Sequence, residues 1–175
     1  MNEKSPLLSG DSPDSIPVIN TPEGGFKEFP DPFLSTCTTN LVDSAPDLRG
    51  VWRVYEVQVD GELQQEHLIL GSIQRIEQSG DRIIITSGGV IHDMRCDGTE
   101  ENGVNDVMAA DYKTPIKVKA TYENQTHVLR PEGLPIEVKR WREGEELVWE
   151  YVGFTARLKK IGSANDSLDN TQLSD

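Results

Sequence analysis

Two cysteines and three histidines in 175 residues leave little material for a metal centre or a redox motif. Cys37 and Cys96 fit no zinc or disulfide-exchange spacing and are expected to be free thiols in a reducing compartment. His92 and Cys96 share a strand face four residues apart, too far along an extended chain for a compact site, so no metal is expected. Also missing are a glycine-rich phosphate loop, a Gly-x-Ser-x-Gly elbow and a His-Glu-x-x-His pair, and no cofactor is expected. No apolar run approaches the roughly 20 residues of a membrane span. The opening MNEKSPLLSGDSPDS lacks the basic start and apolar stretch of a secretory signal, which makes cytoplasm the expected location. Net positive charge is absent too. Lys and Arg total 17 against 30 Asp and Glu, a formal charge of −13, which sets the chain against nucleic acid and anionic membrane surfaces.

Composition is uneven along the chain. Residues 1–46 hold seven of the ten prolines with Ser, Thr, Gly and Asp between them, and no periodicity. They are expected to be a flexible tail. Yet that tail carries Phe26, Phe29 and Phe33, three of the four phenylalanines, which a purely solvated segment would lack. Residues 163–175 read as a short, acidic, disordered end.

From residue 47 to 162, short alternating apolar runs are separated by turn dipeptides, the signature of an all-β domain. The runs are Val51–Val59, Glu62–Leu70, Ile73–Gln78, Arg82–Thr86, Val90–Cys96, Val104–Ala110, Ile116–Tyr122, Gln125–Arg130, Ile136–Arg142, Leu147–Tyr151 and Phe154–Ile161. Asp60-Gly61, Ser79-Gly80 and Gly88-Gly89 are hairpin turns, and no long crossover intervenes. The expected fold is an antiparallel up-and-down β-barrel of about eight to ten strands, with a sandwich as the alternative. Because alternation begins only near Asp47, the barrel is expected to fold without the first 35 residues.

Alternation also assigns faces. Ile116, Val118, Ala120 and Tyr122 share a face opposite Lys117 and Lys119. With Glu123-Asn124 as the turn, Gln125, His127 and Leu129 point inward with them. Across the next hairpins Ile136, Val138, Arg140, Leu147, Trp149, Tyr151, Phe154, Ala156 and Leu158 follow. Val90, His92, Met94 and Cys96 form another inward set, and Asp93 points outward to solvent. The first strand is ambiguous, since Trp52, Val54 and Glu56 compete with Val51, Tyr55 and Val57. An interior lined by Tyr122, Trp149, Tyr151, His92, Met94 and Arg140 suits a hydrophobic small molecule. Gln125 and His127 are the candidates for a polar contact to it, as hydrogen-bond donors or, for His127, as an acid or base.

Asp47-Leu48-Arg49-Gly50-Val51-Trp52 resembles the Gly-x-Trp opening of the first strand in calycins, the superfamily of lipocalins and fatty-acid-binding proteins. Phe154-Thr155-Ala156-Arg157-Leu158 is similar to their last strand, which implies that Arg157 packs over Trp52. The pair that grips a fatty carboxylate would fall on Arg157 and Lys159, which the register turns outward. More loosely, a small acidic barrel behind an aromatic-bearing tail resembles the [4+2] cyclases (Diels-Alderases) of spirotetramate and spirotetronate antibiotic pathways of the pyrroindomycin type. That resemblance implies a cofactor-independent cyclase, with Phe26, Phe29 and Phe33 as a lid over the barrel mouth and Gln125 and His127 polarising a substrate carbonyl. The alternatives are a non-catalytic carrier of a hydrophobic ligand and a protein-interaction module. A monomer or a homodimer fits each.

Overall fold

Three two-residue turns fix the handedness of the sheet. Asp60-Gly61, Gly88-Gly89 and Asn124-Gln125 hold both residues at positive φ, the mirror-image turn whose twist matches the flanking strands. The computed structural model describes residues 11–168 and contains, after a 3-10 turn at Pro13–Ser15, eleven strands. These are β1 (Gly50–Val59), β2 (Glu62–Leu63), β3 (Ile73–Ser79), β4 (Arg82–Ser87), β5 (Val90–Arg95), β6 (Val104–Val107), β7 (Pro115–Glu123), β8 (Thr126–Pro131), β9 (Val138–Glu143), β10 (Glu146–Tyr151) and β11 (Phe154–Gly162). They form one antiparallel sheet in the order β5-β4-β3-β1-β11-β10-β9-β8-β7-β6, with β2 paired only to β1. The terminal strands β5 and β6 meet without a ladder. Arg95 N–H donates to the Asn102 carbonyl at 2.7 Å, and His92 Nε2–H donates to the Val107 carbonyl at 3.0 Å. The sheet is thus a nearly closed barrel with one stitched seam, not a sandwich.

The first strand resolves its ambiguity with a bulge. Val54 faces Leu158 but Glu56 faces Arg157, so Tyr55 is the extra residue and the inward set passes from Trp52 and Val54 to Val57. Trp52 and Val54 of the one pattern and Val57 of the other face inward, while Tyr55 is exposed and Glu56 lies outside beside Arg157. Trp52 is fully buried and its indole N–H donates to the Leu48 carbonyl at 2.9 Å. A Cβ at Gly50 would sit 3.1 Å from that indole nitrogen and 2.8 Å from Lys160 Cε, which accounts for the glycine of the Gly-x-Trp motif. Arg142, not Arg157, lies over the Trp52 ring, 5.5 Å from its centroid. Arg157 is turned outward, where it pairs with Glu143 at 2.6 Å and Glu146 at 3.2 Å.

Three strand assignments shorten by two residues or more, one of them at its start: the run 136–142 becomes extended only at Val138. Only Glu62–Leu63 of the run 62–70 is extended; the rest winds through turns in which Ile69 and Leu70 fold back onto the core. The run 104–110 ends at Val107. A Cβ at Gly103, just before β6, would overlap the Val118 carbonyl of β7. Gly103→Ala is therefore expected to destabilise the fold by about 1–3 kcal/mol, as overpacking does elsewhere. Thermal unfolding followed by far-UV circular dichroism would show it; an unchanged midpoint would mean the β6–β7 pairing gives way freely.

Residues 11–46 are laid along the outer wall of β3, β4 and β5 as a strap. Leu34 packs on Ile84 and Ile91, which face outward, with Ile16, Ile19, Phe26, Phe33 and Cys37 around them. This second core exists because β4 reads Ile83-Ile84-Ile85, apolar on both faces. The strap's backbone is held by barrel side chains. Arg82 donates to the carbonyls of Pro13, Ile16 and Pro17, and Asp93 accepts from Ile19 N–H at 2.9 Å. Arg82 and Asp93 form a buried ion pair at 2.6 Å. Asp93, expected in solvent, does face outward but lies under the strap. Of the expected acidic end, Ser167 Oγ donates to Asp31 Oδ1 at 3.1 Å and the Asp166 carbonyl accepts from Arg75. Residues 1–10 and 169–175, the outer parts of the two expected tails, lie outside the described residues.

Candidate functional site

The lower half of the barrel, at the β3–β4 and β7–β8 turns, is filled. Leu48, Trp52, Ile83, Met94, Ala120, Leu147 and Leu158 belong to one apolar core. Gln78, projecting inward from β3, spans this end: its Nε2 donates to Tyr122 Oη and to the Pro46 carbonyl, both at 2.9 Å. Its Oε1 accepts from Leu48 N–H at 2.6 Å. Tyr122 and Met94, expected to line a pocket, are therefore packed core. His92 does point inward, opposite Ile85, but its ring nitrogen is committed to the β5–β6 seam.

Above this floor the interior turns polar. Cross-strand pairing sets His127 of β8 beside Arg140 of β9, and Arg140 beside Trp149 of β10. The Arg140 guanidinium lies over the Trp149 ring at 4.8 Å, and its Nε donates across the lumen to Gln74 Oε1 at 3.2 Å. Arg140 is 5% exposed, and burial pulls its pKa down to about 9 against the influence of Tyr151, with no carboxylate among the described residues opposing the shift. An arginine buried without an acidic partner is a costly arrangement, and the lumen offers it a neutral amide and the face of Trp149. His127 is completely buried, neither ring nitrogen has a hydrogen-bond partner, and burial beside Arg140 drives its pKa down to about 3. The Trp149 indole N–H, also buried, is likewise unpartnered.

Toward the upper end the lining becomes aromatic. The Phe154 ring stands 5.2 Å from Trp149, 5.4 Å from Tyr151 and 5.3 Å from His67. Tyr151 is about half exposed, and Leu68 beside His67 is fully so. The arrangement is a buried cation and two N–H-bearing rings beneath an aromatic rim. It holds no nucleophile–base pair.

Of the expected site residues, the structure brings His127, Arg140, Trp149 and Tyr151 together. Gln125 is not among them. The turn is Asn124-Gln125, one residue later than expected, so Tyr122 pairs with His127. Strap residues select this register: Gln125 N–H donates to the Ser44 carbonyl at 3.0 Å and its Nε2 to the Asp43 carbonyl at 2.8 Å. The shift leaves His127 on the inner face but removes Gln125 from it. The phenylalanines are elsewhere as well. Phe26 and Phe33 pack in the second core and Phe29 lies over Arg75 at 5.0 Å, all on the outer wall instead of over a mouth. Gln74 and His67 were not expected. Strand Ile73-Gln74-Arg75-Ile76-Glu77-Gln78 gives no clean alternation, because the strap buries its outer face as deeply as the barrel buries the inner one.

Cys37 and Cys96 are free thiols. Among the described residues no three of His, Cys, Asp and Glu are grouped to hold a metal, and no helix is long and apolar enough to cross a membrane.

No protein-family profile matches the sequence, and no curated protein matches it. A solved structure does: human cRBP IV, a cellular retinol-binding protein, superposes with a TM-score of 0.50 at 16% sequence identity. The superposition covers 66% of this chain and 98% of that one. At such identity the likeness speaks for the fold alone, a nearly closed, lipocalin-like antiparallel β-barrel.

Proposed function

We propose that the barrel binds an apolar small molecule carrying an anionic or strongly polarised carbonyl end, with that end held at Arg140. The observation that carries this reading is a buried guanidinium with no carboxylate partner, flanked by the unpartnered nitrogens of His127 and Trp149. A charge-assisted hydrogen bond from Arg140 would compensate a charge that the fold alone leaves unpaired. The aromatic rings of Trp149, Phe154 and Tyr151 would cover the apolar body, at roughly 25 cal/mol per Å² removed from water. Isothermal titration with hexadecanoate and with hexadecanol tests the reading: the acid should bind at least about tenfold tighter, equivalent to about 1.4 kcal/mol. Equal affinity would remove Arg140 from the site.

A finer reading is that the bound molecule is a linear, polyketide-like polyene which the barrel folds for an intramolecular Diels–Alder closure. The specific observation in its favour is His127, a neutral donor beside a cation at the centre of the lumen. Closure of this kind needs no proton shuttle; conformational trapping lowers the barrier, and donors aimed at a dienophile carbonyl stabilise its developing charge. The experiment is incubation with a linear polyene bearing an acidic carbonyl. A product of unchanged mass with new ring stereochemistry supports the cyclase, and binding with no product supports the carrier.

Either way His127 should not titrate near neutral pH. Its folded pKa lies below the ordinary value of 6.5, so the native state resists protonation and stability falls as pH drops from about 6.5 toward 3. Ligand affinity should be flat between pH 6 and 8 as far as His127 is concerned. Nitrogen chemical shifts of the imidazole check this directly; a midpoint near 6.5 would show the ring to be hydrated.

A further inference from the structure

The outer face of β3 carries a carboxylate that the lumen does not use. Glu77 is 2% exposed, and its Oε1 accepts two strap amides, Phe33 N–H at 2.8 Å and Leu34 N–H at 2.7 Å. Its other oxygen, Oε2, is buried and has no partner. The nearby cations make their hydrogen bonds elsewhere, although the Arg75 charge, like the two strap amides, favours the ionised carboxylate. Arg75 reaches the Pro30 and Asp166 carbonyls, and Arg82 is paired with Asp93 and bound to three strap carbonyls. One further group facing Glu77 disfavours its charge, Asp93 from β5; Cys37 of the strap also faces it, as a neutral thiol whose own ionisation Glu77 opposes. Asp31 and Asp166 act on it only through Arg75.

We propose that Glu77 is a proton-operated latch for the strap: neutral, with its proton on Oε2, it seats residues 33 and 34 against the barrel, and on losing that proton it weakens the strap's hold. An Oε2–H leaves Oε1 free to accept both amides while no charge is buried. Ionisation leaves the same two bonds but places an anion in the apolar layer of Leu34, Ile84 and Ile91. Desolvation is the largest influence and lifts the Glu77 pKa to about 7, against 4.5 for the carboxyl in water. The sign follows. The docked strap binds a proton that the undocked state releases, so docking is strongest below pH 4.5 and is lost progressively as pH rises through about 7.

The latch has a consequence for the seam. Strap residues 14–20 form one wall of a cleft of about 460 Å³ whose other wall is β5 and β6. Met94, a member of the barrel core, lies at its base. Loosening the strap exposes the β5–β6 seam, so the proton state of Glu77 sets how well that side of the barrel is covered. This is independent of what the lumen binds.

Hydrogen exchange of the Phe33 and Leu34 amides, corrected for intrinsic rates, tests the latch in the full chain. Protection in the native protein should fall at least about tenfold between pH 5 and 8, while Glu77→Gln, a neutral isostere that still accepts both amides, should hold it constant. The Glu77 carboxyl carbon, followed by NMR in the native protein, should titrate with a midpoint near 7, which keeps the test decisive if the variant does not fold. Constant protection in the native protein, the same fall in Glu77→Gln, or a carboxyl midpoint below 5 would each overturn the proposal.

Discussion

Arg140→Met should weaken the binding of an anionic apolar ligand by about 100-fold, some 2.7 kcal/mol, while leaving the barrel as stable as before or more so. The two effects have one cause. In the free protein the guanidinium is buried with a single neutral acceptor, Gln74 Oε1, so it is a cost to the fold. Replacing a buried charge by an apolar side chain of similar length removes that cost; for whole buried ion pairs the change ranges from neutral to a gain of about 1–4 kcal/mol. In the complex the same group supplies charge-assisted hydrogen bonds that Met cannot make. A variant that binds less and melts higher is the signature of a residue kept for its ligand. Calorimetry for binding and thermal unfolding for stability measure the pair. A variant that binds less and melts lower would make Arg140 a structural residue joining β9 to β3.

Truncation of the chain before Asp47 should cost on the order of 5 kcal/mol and lower the melting temperature by about 10–20 °C. The expectation from alternation alone, that the barrel folds without its first 35 residues, leaves out the second core, which Leu34 joins from the strap. Leu34, Ile84 and Ile91 are each at most 5% exposed, and fully burying such side chains contributes about 1.5–3 kcal/mol apiece. Removing the strap also strips the acceptors from Arg82 and the donors from Asp93 and Glu77. Those groups regain water, so the apolar term dominates the loss. Against a typical total of 5–15 kcal/mol the truncated barrel is marginal and prone to aggregate through the bared β4 face. Unfolding of the truncated chain at the full chain's temperature would reduce the strap to decoration.

How much could be read from sequence depended on what lies outside each strand. In β7 to β11 one face meets water, alternation is clean, and the inward positions of His127, Arg140, Trp149, Ala156 and Leu158 follow from hairpin geometry. In β3 to β5 the strap buries the second face, and the period of two disappears: Ile83, Ile84 and Ile85 are all buried, as are Gln74, Arg75, Ile76 and Glu77. That is why Gln74 went unseen as Arg140's partner and Asp93 was placed in solvent. The strap itself was illegible because its apolar residues follow no helical or strand period; they meet Ile84 and Ile91 at irregular intervals. Gln125 illustrates a third limit. The two candidate turns are one residue apart, and the choice between them is made by the Asp43 and Ser44 carbonyls, some 80 residues away in the chain. Because moving a two-residue turn by one position on each strand preserves face parity, His127 was right while its neighbour was not.

The side-chain N–H resonances of Arg140 and Trp149 during titration with hexadecanoate report most directly on whether the lumen holds the ligand. Arg140 Nε–H and the Trp149 indole N–H should both move, saturably and with one dissociation constant, while the Gln125 side-chain amide on the outer turn stays fixed. Binding that shifts surface resonances and leaves both lumen signals where they were would contradict a site in the lumen.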